Sequence, residues 1–172
     1  MQIGYDRGYD ADFGTAIRCA AVIINDIDDM VHGQKQGRVG MYNDVNVLSK
    51  QAKLRQLVDR LLGQGFDVYI SADHGNTPCT GIGKLVKTGV EVETKSRRMV
   101  VLKEIADKQS LIDQKSMIEY PKYYLNKSFD YLICQPGESL DATGEKVMSH
   151  GGITIDEVVV PFISIKAGVY HG

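Results

Sequence analysis

The stretch "VYISADHGNT", residues 68–77, runs from an apolar segment straight into an acid, an imidazole and a glycine. A plain turn needs the glycine and tolerates the aspartate. It gives no reason for His74. The segment leading into it, "FDVYISA" (66–72), reads as a strand buried on both faces, the pattern of a parallel sheet. Upstream, "IRCAAVIIND" (17–26) is a second, nearly continuous apolar run of the same kind. Between the two, Val47, Leu48, Leu54, Leu57, Val58, Leu61 and Leu62 suggest the spacings of an amphipathic helix over 46–62. Gly63 and Gly65 stop it. Strand, helix, strand is a βαβ unit, so a sheet that is at least partly parallel is expected.

Working outward, "DIDDMVHGQKQG" reads as a polar loop, and the chain beyond Thr77 is glycine-rich up to Gly89. "VEVETK" and "RRMVVLKE" alternate and predict a small antiparallel element near 90–102. A helix or two is expected within 103–127, ending near Pro121, then a strand in "FDYLICQP" (129–136). "GESLDATGEKVM" reads as loop. Thr154 and Glu157 match the S/T-x-x-E capping pattern, and Pro161 limits the helix they start to one short turn before a strand over 160–165. The expected fold is therefore α/β, a mainly parallel sheet flanked by helices. Residues 1–16, "MQIGYDRGYDADFGTA", read as an irregular segment, and 17–172 show no internal boundary.

Composition narrows the function classes. The 172 residues are enough for one domain with a real core. A net charge of −2 gives no global basic signal for nucleic acid. The apolar runs, such as "CAAVII", are too short to span a membrane, and no signal peptide is evident. Cys19, Cys79 and Cys134 are odd in number and widely spaced, which argues against a disulfide framework or a cysteine zinc site and fits a reducing cytoplasm.

The histidines carry the chemistry. Three of the four, His32, His74 and His150, are each followed by glycine at or beyond a predicted strand end. That is where α/β proteins gather functional groups. Asp28 lies four residues before His32, so one helical turn would put both on one face. Asp73 precedes His74 directly. Imidazole and carboxylate suit zinc or manganese, and a metal pair can stabilise the attacking and leaving oxygens in phosphoryl transfer. A single His-Gly is most often a turn, so the pattern alone leaves a structural and a metal reading both open.

In this order, "VIINDIDDMVHG", "VYISADHGN" and "SHGGITIDEVVVPFI" resemble the metal-binding motifs of the alkaline phosphatase superfamily, and within it the PglZ branch, over about residues 17–166. The resemblance implies a partial alkaline-phosphatase-like fold and two divalent metals, with zinc first and manganese as the alternative. It implies that Asp28, His32 and His150 hold one metal, and that Asp73 and His74 contribute to the other. The second metal also takes an aspartate and a Thr or Ser nucleophile from an earlier strand. Nothing before Ile17 matches that strand. The chain is thus expected to be the C-terminal portion of a longer PglZ protein, with the nucleophile outside it and the isolated piece inactive.

Asp26 and Asp29 flank Asp28 and compete with it if the register differs. Lys84, Lys87, Lys95, Arg97 and Arg98 form a loose basic set. A solvated face is its default, and Lys84, Arg97 and Arg98 are the candidates for phosphate binding. Ser71 and Thr77 suit strand-end hydrogen bonding better than nucleophilic roles. Tyr120, Tyr123 and Tyr124 could stack bases but suit core or interface as well. His171 reads as inert. The function expected from the resemblance is a metal-dependent phosphoryl-transfer hydrolase, a phosphodiesterase, phosphatase or nuclease-like domain linked to bacterial phage defence of the BREX kind. Its partners would be other defence proteins and its substrate an oligonucleotide. The alternative is a non-catalytic, metal-stabilised interaction module of a larger defence or signalling assembly. A phosphomutase or sulfatase of the same superfamily is a third option.

Overall fold

The computed structural model describes residues 2–3, 5–85, 91–92, 96–103 and 108–168, without the side chains of 2–3, 5–7, 32–33 and 91–92. His171, Lys87 and Lys95 lie outside the described residues, as does the side chain of His32. In chain order the elements are β1 (Gln2–Ile3), a 3-10 helix (Tyr5–Asp10), β2 (Ala21–Val22), α1 (Asp26–Gly33), α2 (Gly37–Lys50) and α3 (Lys53–Gly63). Then come β3 (Val68–Ser71), β4 (Thr77–Gly81), β5 (Glu91–Val92), β6 (Met99–Lys103), α4 (Lys108–Lys115), β7 (Ile118–Tyr120) and β8 (Phe129–Ile133). The last are β9 (Glu138–Ser139), β10 (Lys146–Ser149), α5 (Ile155–Val158) and β11 (Phe162–Ile165).

The chain divides into two compact units. The first comprises Met1–Met30, Tyr42–Asp73 and Pro161–Gly172, and the second Val31–Met41 and His74–Val160. In the first unit, β1 pairs parallel with β2, and β3 pairs antiparallel with β11. Its core gathers Ala11, Phe13, Leu57, Val58, Leu61 and Val68, with Phe66, Ile70 and Ile165 packed against them. Phe13 meets Phe66 edge to face at 5.7 Å, a favoured aromatic geometry. Of the predicted face of α3, Leu57, Val58 and Leu61 are buried and Leu62 packs against them, whereas Leu54 is 44% exposed. The segment expected to be irregular holds β1 and the 3-10 helix, whose Tyr9 hydroxyl donates to Asp26 Oδ2 at 2.9 Å.

The second unit carries two sheets. One has the order β10-β4-β9, with β10 antiparallel and β9 parallel to β4. The other, β5-β6-β8-β7, is antiparallel throughout. It contains the small antiparallel element expected from the sequence, as β5 against β6. The core of the unit holds Val100, Leu102, Met117, Leu132 and Cys134. Continuous apolar runs at β6 and β8 account for this: Leu102 is 1% exposed and Leu132 0%, and burial of such side chains is the main favourable term in folding.

Several expectations are corrected. The architecture is mixed α/β, but apart from the two-residue β1–β2 pair the described sheets are mixed or antiparallel rather than mainly parallel. The misleading signal is at β3, whose apolar run suggests burial on both faces. Tyr69 and Ser71 are exposed, and its partner is β11 running the opposite way. The strand expected over 17–26 shrinks to two residues. The polar "DIDDMVHG" is not loop but α1, whose first turn carries Asp26, Asp28 and Asp29. Acids there complement the helix dipole. The segment 137–148, expected as loop, contains β9 and most of β10. The helix expected over 46–62 is two helices. Ala52 takes the left-handed conformation at φ 55° and ends α2, and the break falls in the six-residue gap between Leu48 and Leu54, where the apolar spacing lapses.

A left-handed alanine is strained by its Cβ. Ala52→Gly should therefore stabilise the chain by about 1 kcal/mol, read as a higher urea midpoint with an unchanged denaturant slope.

Candidate metal centre

The register of the β10–β4 pair decides where two histidines go. Ser149 faces Thr77 at one end of the ladder. His150 comes directly after Ser149 and His74 precedes Thr77 by three residues, so both emerge at that end. Their rings stack with centroids 3.9 Å apart and planes 10° from parallel. Each ring offers a ligand nitrogen, and these nitrogens lie within 4.8 Å of one another. The Nδ1–H of His74 donates to its neighbour's carbonyl, Gly75 O, at 3.1 Å. With Nδ1 engaged in this way, Nε2 is the nitrogen that would offer a lone pair to a metal, the arrangement usual for a metal-ligating imidazole. Two half-buried imidazoles fit a borderline divalent ion by the chemistry of their donors.

The glycine of "DHG" has a steric cause. Gly75 N donates to Glu157 O at 2.8 Å, and a Cβ at Gly75 would come within 2.0 Å of Asp156 O. Only glycine lets the Asp-His-Gly turn press against α5. The start of α5 is the predicted capping box. Thr154 Oγ1 donates to Glu157 Oε2 at 2.7 Å, and Thr154 N donates to the same oxygen at 3.0 Å.

Glu157 does more than cap. Its Oε1 lies 2.7 Å from Arg98 Nε, and both side chains are 1% exposed. Gly152 N donates to Oε1 at 2.8 Å. Arg98 also donates through Nη1 to Cys79 Sγ at 2.9 Å and to the Glu138 carbonyl. A buried charge persists only when paired and hydrogen-bonded, and each partner here is both. The loop after His150 is moulded on this pair. Gly151 sits at φ +96° with Ser96 where a Cβ would be, and a Cβ on Gly152 would meet Arg98 and Glu157 at 2.8 Å. Burial pushes the Glu157 carboxyl up. The Thr154 hydroxyl, the Gly152 and Thr154 amides and the Arg98 guanidinium more than offset this, and it sits below its ordinary value.

The other candidates divide between the two units. Asp28 is half-buried on α1 in the first unit, Asp29 is exposed, and Asp26 is engaged by Tyr9. Asp73 is exposed at the end of the first unit's β3 segment. Lys84 is exposed and Arg98 is enclosed by its partners, whereas Arg97 keeps 54% of its side chain exposed and pairs with Asp141 at 2.6 Å. Burial raises the thiol of Cys79, and that of Cys134 to about 12, so both are held as thiols rather than metal-binding thiolates. Sequence reasoning missed the structural roles of Arg98, Glu157 and Asp141. The available signal was an arginine placed directly before the buried run "MVVL" and a glutamate fixed in spacing after "HGG".

A mixed α/β fold with paired imidazoles at strand ends is consistent with an alkaline phosphatase-like domain. The family described as the BREX system PglZ alkaline phosphatase-like domain matches residues 10–165, and the chain belongs to that family. No curated protein matches it.

Removing Glu157 tests the buried pair. Glu157→Ala leaves Arg98 buried without its counter-charge and should cost roughly 3–5 kcal/mol, measured by urea unfolding at neutral pH. The depressed carboxyl stabilises the fold fully above its unfolded value of 4.5. That contribution is lost as pH falls through the lower folded value. Stability should therefore decline as pH drops below about 4.5, and the decline should be shallower in Glu157→Gln.

Proposed function

We propose that this chain is a metal-dependent phosphoryl-transfer hydrolase domain, acting on phosphoric esters in the BREX setting its family describes. The observation that carries the reading is the stacked pair His74 and His150, with His74 oriented through Gly75. Asp28, His32 and Asp73 join them as ligands on the strength of the family's motif order. Zinc is the first candidate and manganese the second, with a two-metal site as in the superfamily. When bound, the metal would neutralise charge developing on phosphate oxygens.

The chain's own residues supply orientation. The Gly75 carbonyl engages Nδ1 of His74, and the Gly75 amide ties the turn to α5. The Arg98–Glu157 pair sets the backbone that carries His150. Oligonucleotides or other phosphodiesters are the proposed substrates, and other defence proteins the proposed partners. Cytoplasmic placement belongs to the same proposal. Among the described residues, no helix is long and apolar enough to cross a membrane.

A second reading is a metal-stabilised interaction module. It is favoured by an exposed apolar run in the second unit, Ile153, Ile155, Val158 and Val159, each more than half exposed. Runs of this kind mark partner surfaces.

Metal stripped with chelator and restored as zinc or manganese should bind at one ion or more per chain, counted by mass spectrometry. His74→Ala or His150→Ala should weaken binding at least about tenfold. Assayed in a longer PglZ protein that carries this segment, metal-dependent cleavage of bis(p-nitrophenyl) phosphate should fall in Asp73→Ala, and cleavage undiminished there removes Asp73 from the site. Tight metal binding with no metal-dependent cleavage in that longer protein sinks the hydrolase reading and favours the module.

A further inference from the structure

A second feature adjoins His150. A small cavity of about 20 Å³ is lined by His150, Ser149, Arg97 and Gln34, with Val31 and Val147 as apolar walls. That volume holds a water-sized group and no ring. Arg97 is held at both ends. Its carbonyl accepts from Leu140 N at 2.7 Å, and its Nη1 donates to Asp141 Oδ1 at 2.6 Å. Asp141 is itself buried, with 3% of its side chain exposed. Its other oxygen, Oδ2, accepts from Ser139 Oγ at 2.8 Å, and Ser139 is 0% exposed. Both carboxylate oxygens are thus occupied by internal donors.

A guanidinium has five N–H donors in a rigid fork. The contact with Asp141 uses Nη1, and just over half of the side chain stays exposed. An exposed arginine ordinarily loses rotamer entropy on gripping a ligand. Here the buried acid has already imposed the orientation. The donor fork suits the paired oxygens of an oxyanion, and the cavity admits only something as small as such an oxygen.

We propose that Arg97 is an anion-binding residue beside His150, fixed by the positioning residues Asp141 and Ser139, and that it takes the non-bridging oxygens of a phosphoryl group. The assignment of the anion as a phosphoryl group rests on the hydrolase reading above. The site singles out one member of the basic set around 84–98. Arg98 serves the fold, and Lys84 does not line this cavity.

Calorimetric titration of inorganic phosphate, with and without zinc and with metal content counted on the same samples, tests this. Arg97→Ala should weaken phosphate binding tenfold or more at unchanged metal content, and Arg97→Lys should recover part of the loss. Lys103→Ala, an exposed charge at the far end of β6, should bind as the unaltered chain does. Asp141→Asn should weaken binding several-fold, and Arg97→Ala with Asp141→Asn should bind no more weakly than Arg97→Ala alone. That non-additivity separates positioning from a general loss of structure. Equal phosphate affinity in Arg97→Ala and the unaltered chain overturns the proposal, as does phosphate binding by neither. A chain that takes up no metal counts against the hydrolase reading alone, because the Arg97 difference is then still expected in the metal-free titration.

Discussion

The second unit depends on one buried ion pair. Arg98 and Glu157, each 1% exposed, lie 59 residues apart in sequence and are joined at 2.7 Å. Neither charge is tolerable there without the other. Once paired, they direct their remaining hydrogen bonds onto chosen backbone. Glu157 receives the amides of Gly152 and Thr154, while Arg98 reaches Cys79 and the Glu138 carbonyl. The pair therefore ties β4, β9, the start of β6, the loop after β10 and α5 into one frame. An apolar substitute could fill the same volume but could not specify which loop amides converge.

The consequence for chemistry is indirect and specific. His150 is carried by the loop that the ion pair moulds, and His74 by the turn whose glycine leans on α5. Their approach to stacking distance comes from the β10–β4 register and from these two constraints. Ser96 Oγ also donates to the His150 carbonyl at 3.4 Å. Arg97 stands one residue before the buried arginine and faces a different partner, Asp141. Adjacent arginines thus divide the labour: Arg98 is enclosed, and Arg97 is held at the surface.

Much of this is legible in the sequence, and unevenly. The ordered motifs "DIDDMVH", "ADHG" and "SHGG" point to the family that the chain belongs to. The Thr154–Glu157 capping box and the β5–β6 pair are readable because both are local. The helix at 46–62 is readable in the Leu57, Val58 and Leu61 face of α3, but Val47 and Leu54 are exposed, and the break is not readable, since a single left-handed residue leaves no periodic trace. The parallel-sheet expectation fails because an apolar run shows that a strand is buried, not which strand pairs with it. The partner of β3 comes from the far end of the chain.

The chain by itself determines which groups are available and how they are spaced: acids and imidazoles four residues or one residue apart, each imidazole followed by glycine. Such spacings act over a turn of helix or the end of a strand, where backbone geometry is known in advance. Tertiary structure decides which of those groups meet. It brings His74 against His150 through the β10–β4 register, and it gives Arg98 to Glu157 and Arg97 to Asp141, because a carboxylate buried in a low-dielectric interior requires a partner wherever the fold brings one. Sequence spacing does not encode that pairing, since it arises only when distant segments close on one another.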